Sequence, residues 1–324
     1  MKKKLLLIPT ILVLLIGGYL VLDNLLFTGI RPIEIKEDGI QGSYFAPPDA
    51  KDRAAIIIIG GGAGGDYWGQ ELAKRGYAGL SLPYYRQPGL PPLQEEIPLE
   101  YFEQAINWLR QQAAVDPSKV MVMGASRNAE LALLIASQFP DLISGVIAFA
   151  PSAISWPNAV LPYNSDTLLP SWTYQDQAIP YIPMPKIAGS NSSTIQTLPY
   201  WMAGIEKANQ YEEAFIPVEN IKGPILLLSG IDDQIWPASL MGDMITERLD
   251  TLNFQYEVEH LQFEKAGHLI SRNLANVREG RTGQMEIDGK SYALDFGGTI
   301  EGDSLAIVKS GEKIWAFLER VQSR

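Results

Sequence analysis

The 324-residue sequence predicts an α/β protein built on a mostly parallel, doubly wound sheet. Three observations carry this: short apolar runs recur from Ala54 onward, helical patterns separate them, and turn signals close each unit. Ile56-Ile57-Ile58-Ile59 reads as a buried strand and Ala78 to Leu82 as the next. Leu99, Phe102, Ile106 and Leu109 then recur at helical spacing, with Pro98 placed for a helix start. Asp116-Pro117 turns the chain into the strand Val120-Met121-Val122-Met123, and Ala129 to Phe139 reads as the helix behind it. Gly145 to Ala150, Ile225-Leu226-Leu227-Leu228 and Tyr256 to Phe263 supply further strands. Leu305 to Val321 reads as a closing helix.

Two segments stand outside this alternation. Residues 23–53, with Pro32, Pro47 and Pro48, read as a linker plus one or two edge strands, so the main α/β domain is expected over 54–324. Residues 151–217 are rich in Pro, Tyr, Trp, Asn and Ser, show weak periodicity, and are too long for a bare loop. The segment is read either as a surface insertion or as a lid whose Trp156, Trp172, Tyr174 and Trp201 line a pocket.

The N-terminus predicts a membrane element. Leu5 to Leu22 carries no charge, follows Lys2, Lys3 and Lys4, and precedes Asp23. That length is near the minimum for crossing a hydrocarbon core. A cleaved signal peptide is the alternative, but the first alanine is Ala46, so small residues for cleavage are scarce. The expectation is therefore an uncleaved signal anchor over residues 1–22, a transmembrane helix with its lysines cytoplasmic and the body extracytoplasmic.

A formal net charge of −11 argues against nucleic acid as a partner. The absence of cysteine excludes disulfides, a thiol nucleophile and Cys-ligated zinc. No His pair or His/Glu cluster has ligand spacing, so neither metal nor cofactor is expected.

The chemistry-bearing residues follow the apolar runs. Ser126 lies in the turn Gly124-Ala125-Ser126-Arg127-Asn128, the pair Asp232-Asp233 follows Gly230-Ile231, and His268 follows Ala266-Gly267. Ser, then Asp, then His is the chain order of α/β-hydrolases. With two histidines in the chain, the choice of base is narrow. His268 lies just after a strand, whereas His260 lies inside one and reads as an ordinary structural histidine. Gly-x-x-Asp spacing favours Asp233 as the acid and leaves Asp232 structural. A serine hydroxyl needs a base to take its proton and donors to hold the oxyanion. The Arg127 N–H, just past the elbow, is one expected donor. The glycine loop after the first core strand, Gly61, Gly62, Ala63 and Gly64, supplies the second. A phosphate loop is the competing reading of these glycines, but the Gly-Lys-Ser/Thr ending is absent. Arg127's side chain is expected to be solvated. Asn128, standing where an elbow has glycine, is expected to strain the turn, so that Asn128→Gly leaves activity unchanged or raises it.

At these positions the chain resembles the C-terminal catalytic domain shared by acyl-CoA thioester hydrolases and bile acid-CoA:amino acid N-acyltransferases. The resemblance is carried by Gly61-Gly62-Ala63-Gly64-Gly65, Leu99-Glu100-Tyr101-Phe102-Glu103, Gly124-Ala125-Ser126, Gly230 to Trp236, and Ala266-Gly267-His268-Leu269-Ile270. It spans about Ala54 to Gln322. It implies an α/β-hydrolase fold with a lid insertion and Ser126, Asp233 and His268 as the triad. It also implies acyl transfer to water, since the acyltransferase members have cysteine where Ser126 stands. The function expected is hydrolysis of an acyl thioester or carboxylic ester. With the body placed beyond a membrane, an ester or lipid-like acyl compound is expected over acyl-CoA. The rivals are an amidase or peptidase on the same scaffold, and a catalytically weak ligand-binding protein.

Overall fold

The computed structural model describes residues 15–19, 21–22, 26, 29–37, 39–158, 167–278 and 281–323. The chain divides into two units, Met1–Arg31 and Pro32–Arg324. In the first, residues 15–19 and 21–22 are helical. Among the described residues no helix is long and apolar enough to cross a membrane. This overturns the expected transmembrane anchor over Leu5 to Leu22, and with it the membrane partner and the extracytoplasmic placement of the body. A span needs about 20 apolar residues in one helix, and no helix among the described residues meets that. Residues 5–14 and 20 of the stretch lie outside the described residues.

The second unit opens with β1 (Ile33–Glu37) and β2 (Ile40–Phe45), paired antiparallel. Next come β3 (Arg53–Ile59), α1 (Gly62–Lys74), β4 (Ala78–Leu82) and the short β5 (Ile97–Pro98). They lead to α2 (Leu99–Arg110), β6 (Val115–Ala125), α3 (Arg127–Gln138) and β7 (Val146–Phe149). The insertion then holds β8 (Trp172–Tyr174), β9 (Gln177–Ala178), β10 (Thr194–Ile195) and α4 (Leu198–Ile205). The chain ends with β11 (Ile225–Gly230), α5 (Ala238–Thr251), β12 (Val258–Phe263), β13 (Thr282–Ile287), β14 (Lys290–Asp295) and α6 (Ile300–Gln322).

Eight strands form one sheet in the order β1-β2-β4-β3-β6-β7-β11-β12. The joins β1·β2 and β2·β4 are antiparallel and all the others parallel. Strand periodicity divides the core. Ile57 and Val122 face one way, towards α2, α3 and α5. Ile56 and Met121 face the other, towards α1 and α6. A sheet covered on both faces needs near-continuous apolar strands, which is why Ile56-Ile57-Ile58-Ile59 does not alternate. The expected mostly parallel, doubly wound sheet is thus present.

The described parts of the 151–217 segment, residues 151–158 and 167–217, are packed rather than loose. Trp156, Trp172 and Trp201 are buried, and β8 lies between β5 and β9 in a small second sheet. These tryptophans fill core volume. Tyr174 is half-buried and edges onto Phe139 at 5.7 Å between ring centroids. A third sheet joins β10 to the hairpin β13–β14. The segment after β3 also differs: Gly62 to Gly65, read from sequence as loop, already belong to α1.

Candidate active site

Ser126, Asp233 and His268 all follow strands at the carboxyl edge of the parallel sheet, where open α/β sheets place their sites. Ser126 caps α3 with φ 59° and ψ −126°, left-handed backbone that a non-glycine residue adopts at a cost. Its N–H donates to the Phe149 carbonyl at 2.9 Å, tying the elbow to the neighbouring strand. Gly124 is obligatory here: a Cβ on it would stand 2.0 Å from the Asn128 carbonyl oxygen. Ser126 itself is partly exposed.

Asp233 is buried, and its two oxygens have separate partners. Oδ1 accepts from the backbone N–H of Ile235 at 2.8 Å and of Trp236 at 3.2 Å. Oδ2 lies 2.7 Å from His268 Nδ1. Asp232 is exposed, and its N–H donates to the Ala266 carbonyl. The structure therefore brings Asp233, not Asp232, to His268. With Nδ1–H held by the carboxylate, Nε2 is the nitrogen left to handle a substrate proton. The imidazole stacks on Phe296 (6.4 Å between centroids, 14° between planes) and meets Trp236 edge-on at 6.1 Å. Trp236 continues edge-to-face to Trp201, and Trp201 to Trp156. The insertion thus packs up to the histidine.

His260 is tied differently. Its Nε2 lies 2.8 Å from Ser229 Oγ and its Nδ1 3.1 Å from Asp243 Oδ1. Burial lowers its pKa from the ordinary histidine value. This second Ser-His-Asp set holds α5 against β11 and β12. Ser229 is wholly buried inside a strand and has no elbow to project it.

The glycine segment begins with three left-handed residues, Gly60 (φ 106°), Gly61 (61°) and Gly62 (63°), and passes straight into α1. The first four N–H groups of a helix have no intrahelical partner, so those of Gly62, Ala63 and Gly64 are donors to spare. Gly62 and Gly64 face open space. Gly61 must be glycine, since a Cβ would fall 2.6 Å from Pro83 Cδ.

Arg127's side chain departs from expectation: it is buried, not solvated. Its Nη1 pairs with Glu130, whose side chain is 0% exposed, and its Nη2 donates to the Trp156 carbonyl (2.9 Å) and to Ser171 Oγ (2.5 Å). Glu130 Oε1 accepts from Trp156 N–H (3.1 Å) and Trp172 Nε1 (2.8 Å). Burial pushes the Glu130 carboxyl up to about 7 against the pull of Arg127 and these donors. The physical reason for the departure is the insertion, whose folding over the start of α3 supplies the partners.

Sequence reasoning passed over residues 271–299. This stretch holds the β13–β14 hairpin and Phe296, the ring under His268. Asp288 (φ 50°) and Gly289 (φ 76°) form its turn. An Asp-Gly pair between alternating runs was the available signal. Asp303, at the start of α6, accepts from Gly267 N–H at 2.8 Å and pairs with Arg281. Among the described residues no cluster of His, Cys, Asp or Glu could hold a metal ion.

Sheet order and the position of these residues define an α/β-hydrolase fold. Solved structures agree on the fold. A puromycin-hydrolysing peptidase of Mycobacterium tuberculosis superposes with a TM-score of 0.56 at 14% identity, covering 90% of this chain and 39% of that one. MGS-M1, an α/β-hydrolase enzyme from a deep-sea metagenome library, gives 0.51 at 17% identity over 92% of this chain and 100% of its own. Within that fold the family is specific. Residues 97–323 match the BAAT / acyl-CoA thioester hydrolase C-terminal family, to which the chain belongs. Similar proteins include mouse acyl-coenzyme A thioesterase 1, 27% identical over 76% of this chain and 56% of its own length. Human acyl-coenzyme A thioesterase 6 is 25% identical over 90% of this chain and 66% of its own length. The chain spans about half to two-thirds of the length of these curated relatives.

Proposed function

We propose that the chain is a serine hydrolase that cleaves acyl thioesters or carboxylic esters, with acyl-CoA-type thioesters the leading substrate class. Ser126 Oγ attacks the acyl carbonyl. His268 Nε2 takes its proton and returns it to the leaving thiolate or alkoxide. Asp233 fixes the imidazole tautomer and stabilises the imidazolium. The Arg127 N–H and the donors of Gly61 to Gly64 hold the oxyanion. Water then repeats the sequence on the acyl-enzyme, releasing the acid.

The observation that carries this reading is the 2.7 Å Asp233–His268 hydrogen bond, at the sheet edge where Ser126 holds left-handed backbone. Membership of a family named for acyl-CoA thioester hydrolysis, with thioesterase relatives, supports the substrate class. Of the two arguments against acyl-CoA, the body placed beyond a membrane has fallen, while the acidic net charge of −11, a poor match for the phosphates of CoA, still stands. Two measurements test the proposal: labelling by a serine-directed fluorophosphonate, and a hydrolysis panel of matched acyl-CoA, p-nitrophenyl ester and amide substrates. Labelling of the full chain but not of Ser126→Ala, with thioester turnover above amide turnover, is expected. A folded protein that neither labels nor turns over any member refutes it.

A further inference from the structure

Asn128 stands where a nucleophile elbow has glycine, and its surroundings are built for it. The left-handed angle of the turn falls on Ser126, while Asn128 sits inside α3, so Asn128 is not the strained residue expected from sequence. Its two ends touch two different glycines. The Asn128 carbonyl occupies the space a Gly124 side chain would need, and Asn128 Nδ2 occupies that of Gly60, 2.3 Å from where a Cβ would stand. Gly60 (φ 106°) is the pivot at which β3 turns into the segment carrying the candidate oxyanion donors. The amide is itself held. Tyr84 Oη donates to Asn128 Oδ1 at 2.7 Å, and Gln94 Nε2 donates to Tyr84 Oη at 2.8 Å. Tyr84 and Gln94 are 1% and 2% exposed. Pro83, the residue before Tyr84, closes on Gly61 from the other side.

We propose that Asn128 is a positioning residue: its side chain, fixed by the buried Gln94–Tyr84 relay, sets the glycine segment at Gly60 against the Ser126 elbow and so places the oxyanion donors. The proposal rests on the reading of Ser126 as nucleophile. Elbow and glycine segment lie on different strands, β6 and β3, and must meet one oxygen atom together. Donor placement within about an ångström is what such a site needs, since a 1 Å misplacement costs on the order of 10²-fold in rate. A glycine at 128 would leave a void beside Gly60 and would remove the Asn128 Oδ1 that accepts from Tyr84.

The test uses the full chain with a p-nitrophenyl ester or acyl-CoA, comparing Asn128→Gly, Tyr84→Phe, the double variant and Ser126→Ala. Asn128→Gly and Tyr84→Phe should lower kcat by about 10- to 100-fold with KM within about threefold, short of the 10²–10³-fold typical of deleting an oxyanion donor outright. Affinity for an alkyl boronic acid, whose tetrahedral serine adduct mimics the oxyanion, should fall in the same proportion as kcat. The double variant should be no slower than Asn128→Gly alone, because both changes act through one amide. Asn128→Gly at or above the wild-type rate, while Ser126→Ala is inactive, overturns the proposal. So do independent multiplicative losses in the double variant, or a loss confined to KM. If Asn128→Gly does not fold, Tyr84→Phe, which removes one hydroxyl, decides alone. Activity persisting in Ser126→Ala would instead overturn the nucleophile reading underneath.

Discussion

Replacing Arg127 by methionine tests whether the insertion is clamped onto the start of α3. The substitution keeps an unbranched apolar stem but removes the guanidinium, and three losses follow from the geometry. Glu130, 0% exposed, loses its ion-pair partner. Breaking a buried pair by deleting one member costs about 3–5 kcal/mol. The Trp156 carbonyl and Ser171 Oγ each lose a donor. An unsatisfied buried group adds about 1–3 kcal/mol, though a hydroxyl can turn to another partner. Protonation of Glu130 limits the loss, since its carboxyl already sits up at about 7. The expected destabilisation is therefore about 4 kcal/mol at pH 8 and smaller at pH 6, where the stranded carboxyl takes a proton. That is a large share of the roughly 5–15 kcal/mol stabilising an ordinary domain. Urea unfolding followed by tryptophan fluorescence and circular dichroism, extrapolated linearly to water, measures it. The double variant Arg127→Met/Glu130→Gln removes the stranded charge and keeps an oxygen for Trp172 Nε1 and Trp156 N–H. It should recover at least about 2 kcal/mol of the loss. A single-variant loss below about 1 kcal/mol at pH 8, or a double variant no more stable than the single, would refute the clamp.

Ser126→Ala deletes Oγ alone and should lower kcat by on the order of 10⁴- to 10⁶-fold with an unchanged melting curve; activity within tenfold of wild type removes Ser126 as nucleophile. His268→Ala should match it, whereas His260→Ala should lose stability but keep most of its turnover, a contrast readable in one kinetic and one thermal series. Asp233→Asn should cost far more in kcat than Asp232→Asn, because Asp233 alone reaches His268 Nδ1; the reverse order would move the acid to Asp232. Because burial raises the Glu130 carboxyl from 4.5 to about 7, the folded state holds one more proton than the unfolded chain between those values. Stability should therefore fall as pH rises through this window, by up to about 3 kcal/mol at 1.36 kcal/mol per unit. The check is the difference in pH slope between wild type and Glu130→Gln, and equal slopes would contradict it.

The parts of the fold that were legible are those written in local pattern. Ile56-Ile57-Ile58-Ile59 and Ile225-Leu226-Leu227-Leu228 are apolar without a break because both their faces are buried, and such runs can be read without knowing their neighbours. The candidate residues were legible because strand ends, glycines and two histidines leave few alternatives. Arg127 was misread for a physical reason. An isolated arginine defaults to solvent, and its partners come partly from Trp156 and Ser171, in a segment with weak periodicity. Asn128 was read as strain because the elbow pattern reserves that position for glycine. The acceptor role that explains it depends on Tyr84, 44 residues earlier. The parallel pairing of Thr194 with Ala293 joins segments about a hundred residues apart, and no local pattern encodes it.

The His268 loop shows why the candidate site needs the chain beyond its last named member. Gly267 has no room for a side chain, as a Cβ would stand 2.4 Å from the Phe296 carbonyl. The same carbonyl accepts His268 N–H at 2.8 Å, and the Phe296 ring lies parallel to the imidazole. Asp303 holds Gly267 N–H from one side, and its charge is paired by Arg281, which also donates to the carbonyls of Gly297 and Gly298. Gly297 in turn bridges back to Asp233. Asp233 and His268 are therefore held by one set of contacts, supplied by the strands before them and by the turn between β14 and α6. In the proposed mechanism His268 keeps its ring aligned through two proton transfers and gains from such bracing, since reorientation during the reaction would add to the barrier. The hairpin β13–β14 carries the chain out from Arg281 and back to Phe296. Its contribution to the site is thus to deliver a guanidinium and an aromatic ring to the two sides of one loop.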